Sequence, residues 1–369
     1  MKRHHGYPLF FLFTICSPLL SEFAGAPGRL NTNSNPDDAY FELAPEYPSR
    51  LATWVSLNAP LTKYARKFDD ALNQPLLAGG DEYMISERVL VTEQGTMFIT
   101  DQFTESCSPH GSIEEVRSAT ESFISDFRGL GVEVYVAVSP NKSSLRRELV
   151  PRSYPLFGCS TTYSEQLWAS ILPIEGVIDL ISPLKDFEDA TGVSTFKKED
   201  THWNQGGAAA AVGQILKTLD HRNVLEQPIP EITGIVPYEG DLRALGGLDS
   251  YADLTVSATL SPTPTVETFS QALESDGFPG NRTVTNKSAD AQLGKLVIFG
   301  DSFSQVAETF ISPFFEEVTF QRLYDFDTEK YSSLIEAADY VLFWSVERSF
   351  VWRLMNQWST LPSIYEEQR

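Results

Sequence analysis

"KLVIFGDSFSQVAETFI", Lys295 to Ile311, carries an apolar burst into Gly-Asp-Ser and out again into a helix-compatible stretch. Leu296 to Phe299 is short, β-branched and aromatic, and Gly300 bounds it, so it reads as a buried strand. From Gln305 onward the spacing suits a helix. Ser302 therefore falls on a strand-to-helix turn. A serine there can cap the helix by accepting from first-turn amides. The same position suits a nucleophile, because those amides face whatever the hydroxyl attacks. The tripeptide leaves both readings open, and the choice rests on whether a base exists elsewhere in the chain.

Five histidines are available, and His4 and His5 belong to an N-terminal leader. His110 sits in the turn-like "CSPHGS" and His221 in "TLDHRN", both reading as surface positions. His202 lies in "KEDTHWNQGGAAAAVGQIL", with Asp200 two residues before it, Trp203 after it, and a run of Ala and Gly that would let a helix pack closely on a sheet. A serine hydroxyl needs an imidazole to take its proton, and the imidazole needs a carboxylate to fix its tautomer and stabilise its cation. Asp200 and His202 could supply both. On this segment alone, an Asp or Thr capping the following helix beside a satisfied histidine explains the pattern as well.

Composition sets the class of chain. With 42% hydrophobic and 12% aromatic residues among 369, it can bury a large core and is not a disordered composition. A net charge of -22 argues against a nucleic-acid or other polyanion surface. Met1 to His5 is basic, Tyr7 to Leu20 is apolar and uncharged, and small residues follow at Ala24, Gly25 and Ala26. Residues 1–26 therefore read as a signal peptide or an uncleaved signal anchor. Residues 27–45, polar and Pro-containing, read as a tether, and 46–369 as a single domain. In an exported chain Cys107 and Cys159 form an even pair, which fits one disulfide better than a metal site.

The pattern predicts strands at Val132–Val138, Val177–Leu180, Leu296–Phe299 and Tyr340–Phe343. Helices are predicted at 112–129, 161–171, 204–219 and 304–311, with an amphipathic helix near Trp54–Leu72. Alternation of this kind calls for a parallel sheet covered on both faces, with a site at the carboxyl ends of the strands. Ser257–Ala291, rich in Ser, Thr and Pro, reads as an excursion from that fold.

Taken together and in order, "DTHWNQGG" and "VIFGDSFS" resemble the alginate O-acetyltransferase family, exported SGNH-hydrolase-like proteins in which D-x-H-W precedes G-D-S-F. "VLVTEQGTMFITDQF", "VYVAVSPNKSSLRRELVP", "EGDLRALGGL" and "ADYVLFWSVERSF" are similar to further family segments, so the likeness runs from about residue 80 to 352. It implies an α/β SGNH-hydrolase-like three-layer sandwich with a central, mostly parallel sheet and a circularly permuted motif order. The family's lysine segment continues to a tyrosine, where this chain has "NKSSLRR", and about 20 residues after Glu-Arg leave no room for a carbohydrate-binding module.

The resemblance implies Ser302 as nucleophile, His202 as base and Asp200 as its orienting carboxylate, with no cofactor and no metal. Trp203, Lys142, Arg322 and Tyr324 are the expected substrate contacts, Trp203 being equally readable as packing beneath the histidine loop. The expected reaction moves an acetyl group through Ser302 onto a polysaccharide or glycan hydroxyl, outside the cytoplasmic membrane, with a membrane-bound O-acyltransferase as donor partner and no nucleic acid. The same triad would serve an exported carbohydrate acetylesterase. A non-catalytic glycan-binding component of an envelope assembly is the remaining alternative.

Overall fold

The computed structural model describes residues 28–31, 40–43, 83–85, 88–220, 225, 229–248, 252–262, 283–288, 291–322 and 328–368. The chain divides into two units, Met1–Leu76 and Leu77–Arg369. In the first, Gly28–Asn31 pairs antiparallel with Tyr40–Leu43, inside the stretch expected to be a polar tether. The leader and the expected helix near Trp54–Leu72 lie outside the described residues.

The second unit is built on a six-stranded sheet of β1 (Val134–Ser139), β2 (Val177–Ile178), β3 (Thr283–Lys287), β4 (Leu293–Gly300), β5 (Phe315–Arg322) and β6 (Tyr340–Val346), in the spatial order β3-β5-β4-β6-β1-β2. Five strands run parallel, and β3 closes one edge antiparallel to β5. The chain leaves β4 for β5 on one side and returns as β6 on the other, so the strand order reverses around β4. In open α/β sheets a crevice forms outside the carboxyl ends at such a reversal.

Both faces of β4 are buried, yet its side chains still alternate. Leu296 and Ile298 join Leu342, Trp344 and Ala137 under helix Gln205–Leu219. Val297 and Phe299 join Val136, Val138 and Phe343 under helices Ile113–Gly129 and Phe157–Ile171 and the C-terminal helices. This is the expected three-layer sandwich. The small residues of helix Gln205–Leu219 let it lie close: Gly206 through Val212 are all buried, and a Cβ at Gly207 would stand 2.6 Å from the Thr195 carbonyl.

Several expectations shift on the structure. The first sheet strand begins at Val134, because Val132 still donates to Phe127 at the end of the preceding helix. The second stops at Ile178, since Asp179 accepts from the Ile181 and Ser182 amides and starts the helix Ile181–Thr191. The expected helix 304–311 is two short ones, Ser302–Val306 and Glu308–Ile311. Ser257–Ala291 is not wholly an excursion. Its beginning belongs to the strand Ala252–Ser261, whose Val256, Ala258 and Leu260 are buried in alternation, and this strand pairs with Ile229–Glu239 in a long hairpin. Further on, the same stretch supplies β3.

Three short strands, Tyr83–Ile85, Val89–Thr92 and Met97–Ile99, form a separate antiparallel sheet. It leads into helix Asp101–Cys107, where the expected disulfide is present: Cys107 is bonded to Cys159 at the start of helix Phe157–Ile171, with Cα atoms 5.3 Å apart. The bond closes a loop of 52 residues, which by chain-entropy reasoning stabilises the fold by about 2–4 kcal/mol. Urea unfolding of Cys107→Ala/Cys159→Ala should show a loss of that size with an intact fold. An unchanged midpoint would refute the stabilisation assigned to loop closure.

Candidate active site

The turn after β4 answers the question of the cap. Asp301, not Ser302, is the cap: its Oδ1 accepts from the Phe303 amide at 3.0 Å. Its Oδ2 accepts from the Val346 amide at 2.7 Å, stitching the turn to the end of β6. A Cβ at Gly300 would lie 2.1 Å from Ser304 Oγ, and that hydroxyl in turn donates to the Asp301 carbonyl at 2.8 Å. The glycine is thus required for the tight turn. Ser302 is left as the first helical residue with its hydroxyl unused by the helix.

That hydroxyl lies 2.7 Å from His202 Nε2. On the other side of the ring, Nδ1 is 2.8 Å from Asp200 Oδ1, which also accepts from the His202 amide at 2.8 Å. Lys197 Nζ donates to Asp200 Oδ2 at 3.1 Å. Burial by itself would raise the Asp200 carboxyl; the hydrogen bond and charge of His202, with Lys197, outweigh it and hold the group well below the usual carboxylate range. Asp200 is 4% exposed, whereas the His202 side chain keeps 20% of its surface open, so the relay opens to solvent at the serine end.

The structure brings Asp200, His202 and Ser302 together and separates them from two of the expected substrate contacts. Trp203 is fully buried, edge-on to Phe303 and Trp344, so it supports the histidine loop from below and has no face to offer a sugar. Lys142 is likewise buried, and its Nζ donates to the carbonyls of Met97 at 2.8 Å and Lys198 at 3.1 Å. Desolvation pulls its ammonium down to about 7, against the pull of Asp200, Asp241 and Glu199. Arg322 stands at the end of β5 opposite Gly300 and donates to Gln305. Tyr324 lies outside the described residues. Arg348 places its guanidinium 5.5 Å over the Phe303 ring, one residue from Ser302, and its neighbour Glu347 turns inward to the Asn141 amide and the Ser164 hydroxyl.

The site also contains Asp241, which pattern reading did not select. Asp200, His202 and Asp241 bring ligand atoms within 4.8 Å of one another, the one such cluster among the described residues. Those atoms are already engaged. Asp200 serves His202 and Lys197, and Asp241 accepts from the Thr201 amide at 2.8 Å and its hydroxyl at 2.6 Å. A cation would have to displace these bonds.

Comparison with known proteins follows the same residues. Residues 89–319 match the family of the SGNH hydrolase-like domain of the acetyltransferase AlgX. "Probable alginate O-acetylase AlgJ" of Pseudomonas fluorescens is 23% identical over 159 residues, 42% of this chain and 40% of that protein, so the match spans well under half of the relative's length. Among solved structures, a DHHW family protein from Eubacterium siraeum superposes with a TM-score of 0.51 at 16% identity, covering 77% of this chain and 97% of that one. The O-acetyltransferase domain of Pseudomonas putida AlgJ gives 0.46 at 16% identity, covering 75% and 99%.

Because Asp200 has a lowered folded value, the stability it contributes is complete above the ordinary aspartate range near pH 4 and is lost as pH falls below it. Acid unfolding of Asp200→Asn, compared with the parent, should therefore lack part of the steep loss below pH 4. Parallel curves for the two proteins would refute the tie between Asp200 and its partners.

Proposed function

Since the chain belongs to the family of SGNH hydrolase-like acetyltransferase domains typified by AlgX, we propose that it is an exported O-acetyltransferase working through an acetyl-Ser302 intermediate on a polysaccharide or glycan hydroxyl. The observation that carries this reading is the continuous Asp200–His202–Ser302 relay. Export is supported by the leader pattern of residues 1–26 and by the disulfide. Among the described residues no helix is long and apolar enough to cross a membrane. In this reading residues 1–26 are the signal or anchor, 27–45 the tether and the remainder the catalytic domain. The acetyl donor is a membrane-bound O-acyltransferase, and the acceptor is suggested by the alginate O-acetylase named among the relatives.

The chemistry proceeds in two balanced halves. Ser302 Oγ attacks the carbonyl carbon of the donor's acetyl group while its proton passes to His202 Nε2. The carbonyl oxygen takes up the negative charge. The Ser302 amide, a first-turn N–H with no intrahelical acceptor, is positioned to donate to it. The intermediate collapses, and the leaving group departs with the proton from His202, giving acetyl-Ser302. In the second half a sugar hydroxyl attacks the serine ester, its proton goes to Nε2, and Ser302 Oγ leaves and recovers that proton. Asp200 holds Nδ1 protonated throughout and stabilises the imidazolium. Lys197, in turn, holds Asp200.

Incubation with an activated acetyl ester, with and without glycan, tests the reading by mass measurement of protein and sugar. The parent should gain one acetyl group on Ser302 and lose it faster when glycan is present, with acetylated sugar as product. Ser302→Ala should gain none, and Ser302→Ala/His202→Ala should be little worse than either single variant, because residues of one relay are strongly non-additive. Decay that water alone accelerates would make the protein an esterase. Full turnover by Ser302→Ala would end the acyl-transfer reading.

A further inference from the structure

The residue that separates Asp200 from His202 is Thr201, and its amide and its hydroxyl both donate to one carboxylate forty positions away. Asp241 Oδ1 accepts from the Thr201 amide at 2.8 Å and Oδ2 from the Thr201 hydroxyl at 2.6 Å. The same Oδ2 lies 3.5 Å from His202 Nδ1, and Thr201 Oγ1 lies 3.1 Å from it. We infer that Asp241 is a positioning residue for the acyl-transfer relay. It clamps Thr201 so that the carboxylate on one side and the imidazole on the other present the correct edges, and it adds a second negative charge behind the ring. This inference rests on the assignment of His202 as base under Proposed function.

The surrounding segment is shaped for that task. Gly240 presses against the loop so closely that a Cβ there would stand 2.0 Å from the Glu199 carbonyl. The Leu242 amide donates to that carbonyl at 3.2 Å, and Arg243 Nη1 pairs with Glu199 Oε1 at 3.3 Å. The Glu199 amide donates to the Tyr238 hydroxyl at 3.1 Å. Five polar contacts thus bind Glu199 and Thr201 to residues 238–243. The far end of the loop is held from the same hairpin: Gln205 Oε1 accepts from Ser257 Oγ at 2.9 Å and from the Ala258 amide at 3.1 Å. The hairpin Ile229–Glu239/Ala252–Ser261 exposes much of its own surface. Its contribution to the site is this grip on both ends of the histidine loop.

A clamp of this kind acts on rate more than on binding. Asp241 touches neither the serine nor the reacting carbonyl, so its removal leaves the nucleophile and the open end of the site intact. What changes is how often the imidazole edge faces Ser302 Oγ, and small misplacements of that sort cost on the order of ten- to a hundredfold in turnover.

The test uses the full chain with an activated acetyl ester, and phenylmethylsulfonyl fluoride as an independent probe of Ser302 nucleophilicity. Asp241→Asn and Asp241→Ala should both lower kcat about ten- to a hundredfold with KM within about twofold, and should slow sulfonylation of Ser302 in proportion. Thr201→Val, which keeps the side-chain shape, should reproduce the loss if Asp241 variants do not fold. Thr201→Val/Asp241→Asn should then be no worse than either single variant, since both break one contact. Asp241→Ala or Thr201→Val with parental kcat and sulfonylation rate would overturn the inference, as would additive losses in the double variant. Failure of the underlying reading is distinguishable, because there Ser302→Ala itself would retain activity.

Discussion

The geometry of the site depends first on the Asp301 carboxylate. A strand buried on both faces and ending at a crevice leaves amide groups with no ladder partner and little water, and each one unsatisfied costs about 1–3 kcal/mol. Asp301 answers two of them at once, the Phe303 amide on its own turn and the Val346 amide at the end of the neighbouring strand β6. By doing so it fixes the angle between β4 and the helix that follows. It also removes the ordinary structural task of a serine at this position. Ser302 Oγ is left facing away from the backbone, toward a ring delivered from elsewhere in the chain.

That ring is held to tolerance by close packing rather than by its own loop. Thr195, Trp203 and the glycines of helix Gln205–Leu219 are pressed together so tightly that a single added carbon at Gly207 would collide with backbone. Trp203 then fills the space between Phe303 and Trp344, coupling the histidine loop to the serine turn through aromatic edges. Hydrogen bonds set direction within this frame. Lys197 and Asp200 aim the imidazole, and the segment 238–243 stops the loop from relaxing outward.

How much of this could be seen in the sequence depends on how local each cause is. The strand of β4, the turn after it and the small-residue helix were legible because their signals lie within a dozen residues. The relay was legible because its chemistry restricts the residue types so sharply that one histidine and one serine stood out. β5 was missed because Glu316 and Glu317 break its apolar run near the start, although its later residues are buried. Lys142, read as a substrate contact, is found in the interior, and Trp203 takes the second of its two readings, packing beneath the histidine loop, since residue type alone does not distinguish an exposed cation or indole from a buried one. Asp241 was invisible for the opposite reason. A Gly-Asp-Leu carries no chemistry of its own, and its partner Thr201 acquires meaning only when the fold closes a gap of forty residues.

The buried Lys142 and Glu347 show what the fold accepts in order to keep this frame. Burying an isolated ion costs several kcal/mol, and both groups respond as that cost demands: desolvation lowers the lysine to about 7 and raises the glutamate. Neither pairs with the other. Each binds backbone instead, Glu347 just past the carboxyl end of β1 and Lys142 on two other segments. Glu347 accepts from the Asn141 amide, and the adjacent Lys142 reaches across to the Met97 and Lys198 carbonyls. The result is a tie from the start of helix Glu347–Asn356, through the loop after β1, to the segment that leads into Asp200. Apolar replacements of equal volume could fill the space, but they could not satisfy the carbonyls of Met97 and Lys198 or the amide of Asn141. The polar groups are retained because the chain ends that meet at the crevice of a parallel sheet carry backbone demands that packing alone leaves unmet.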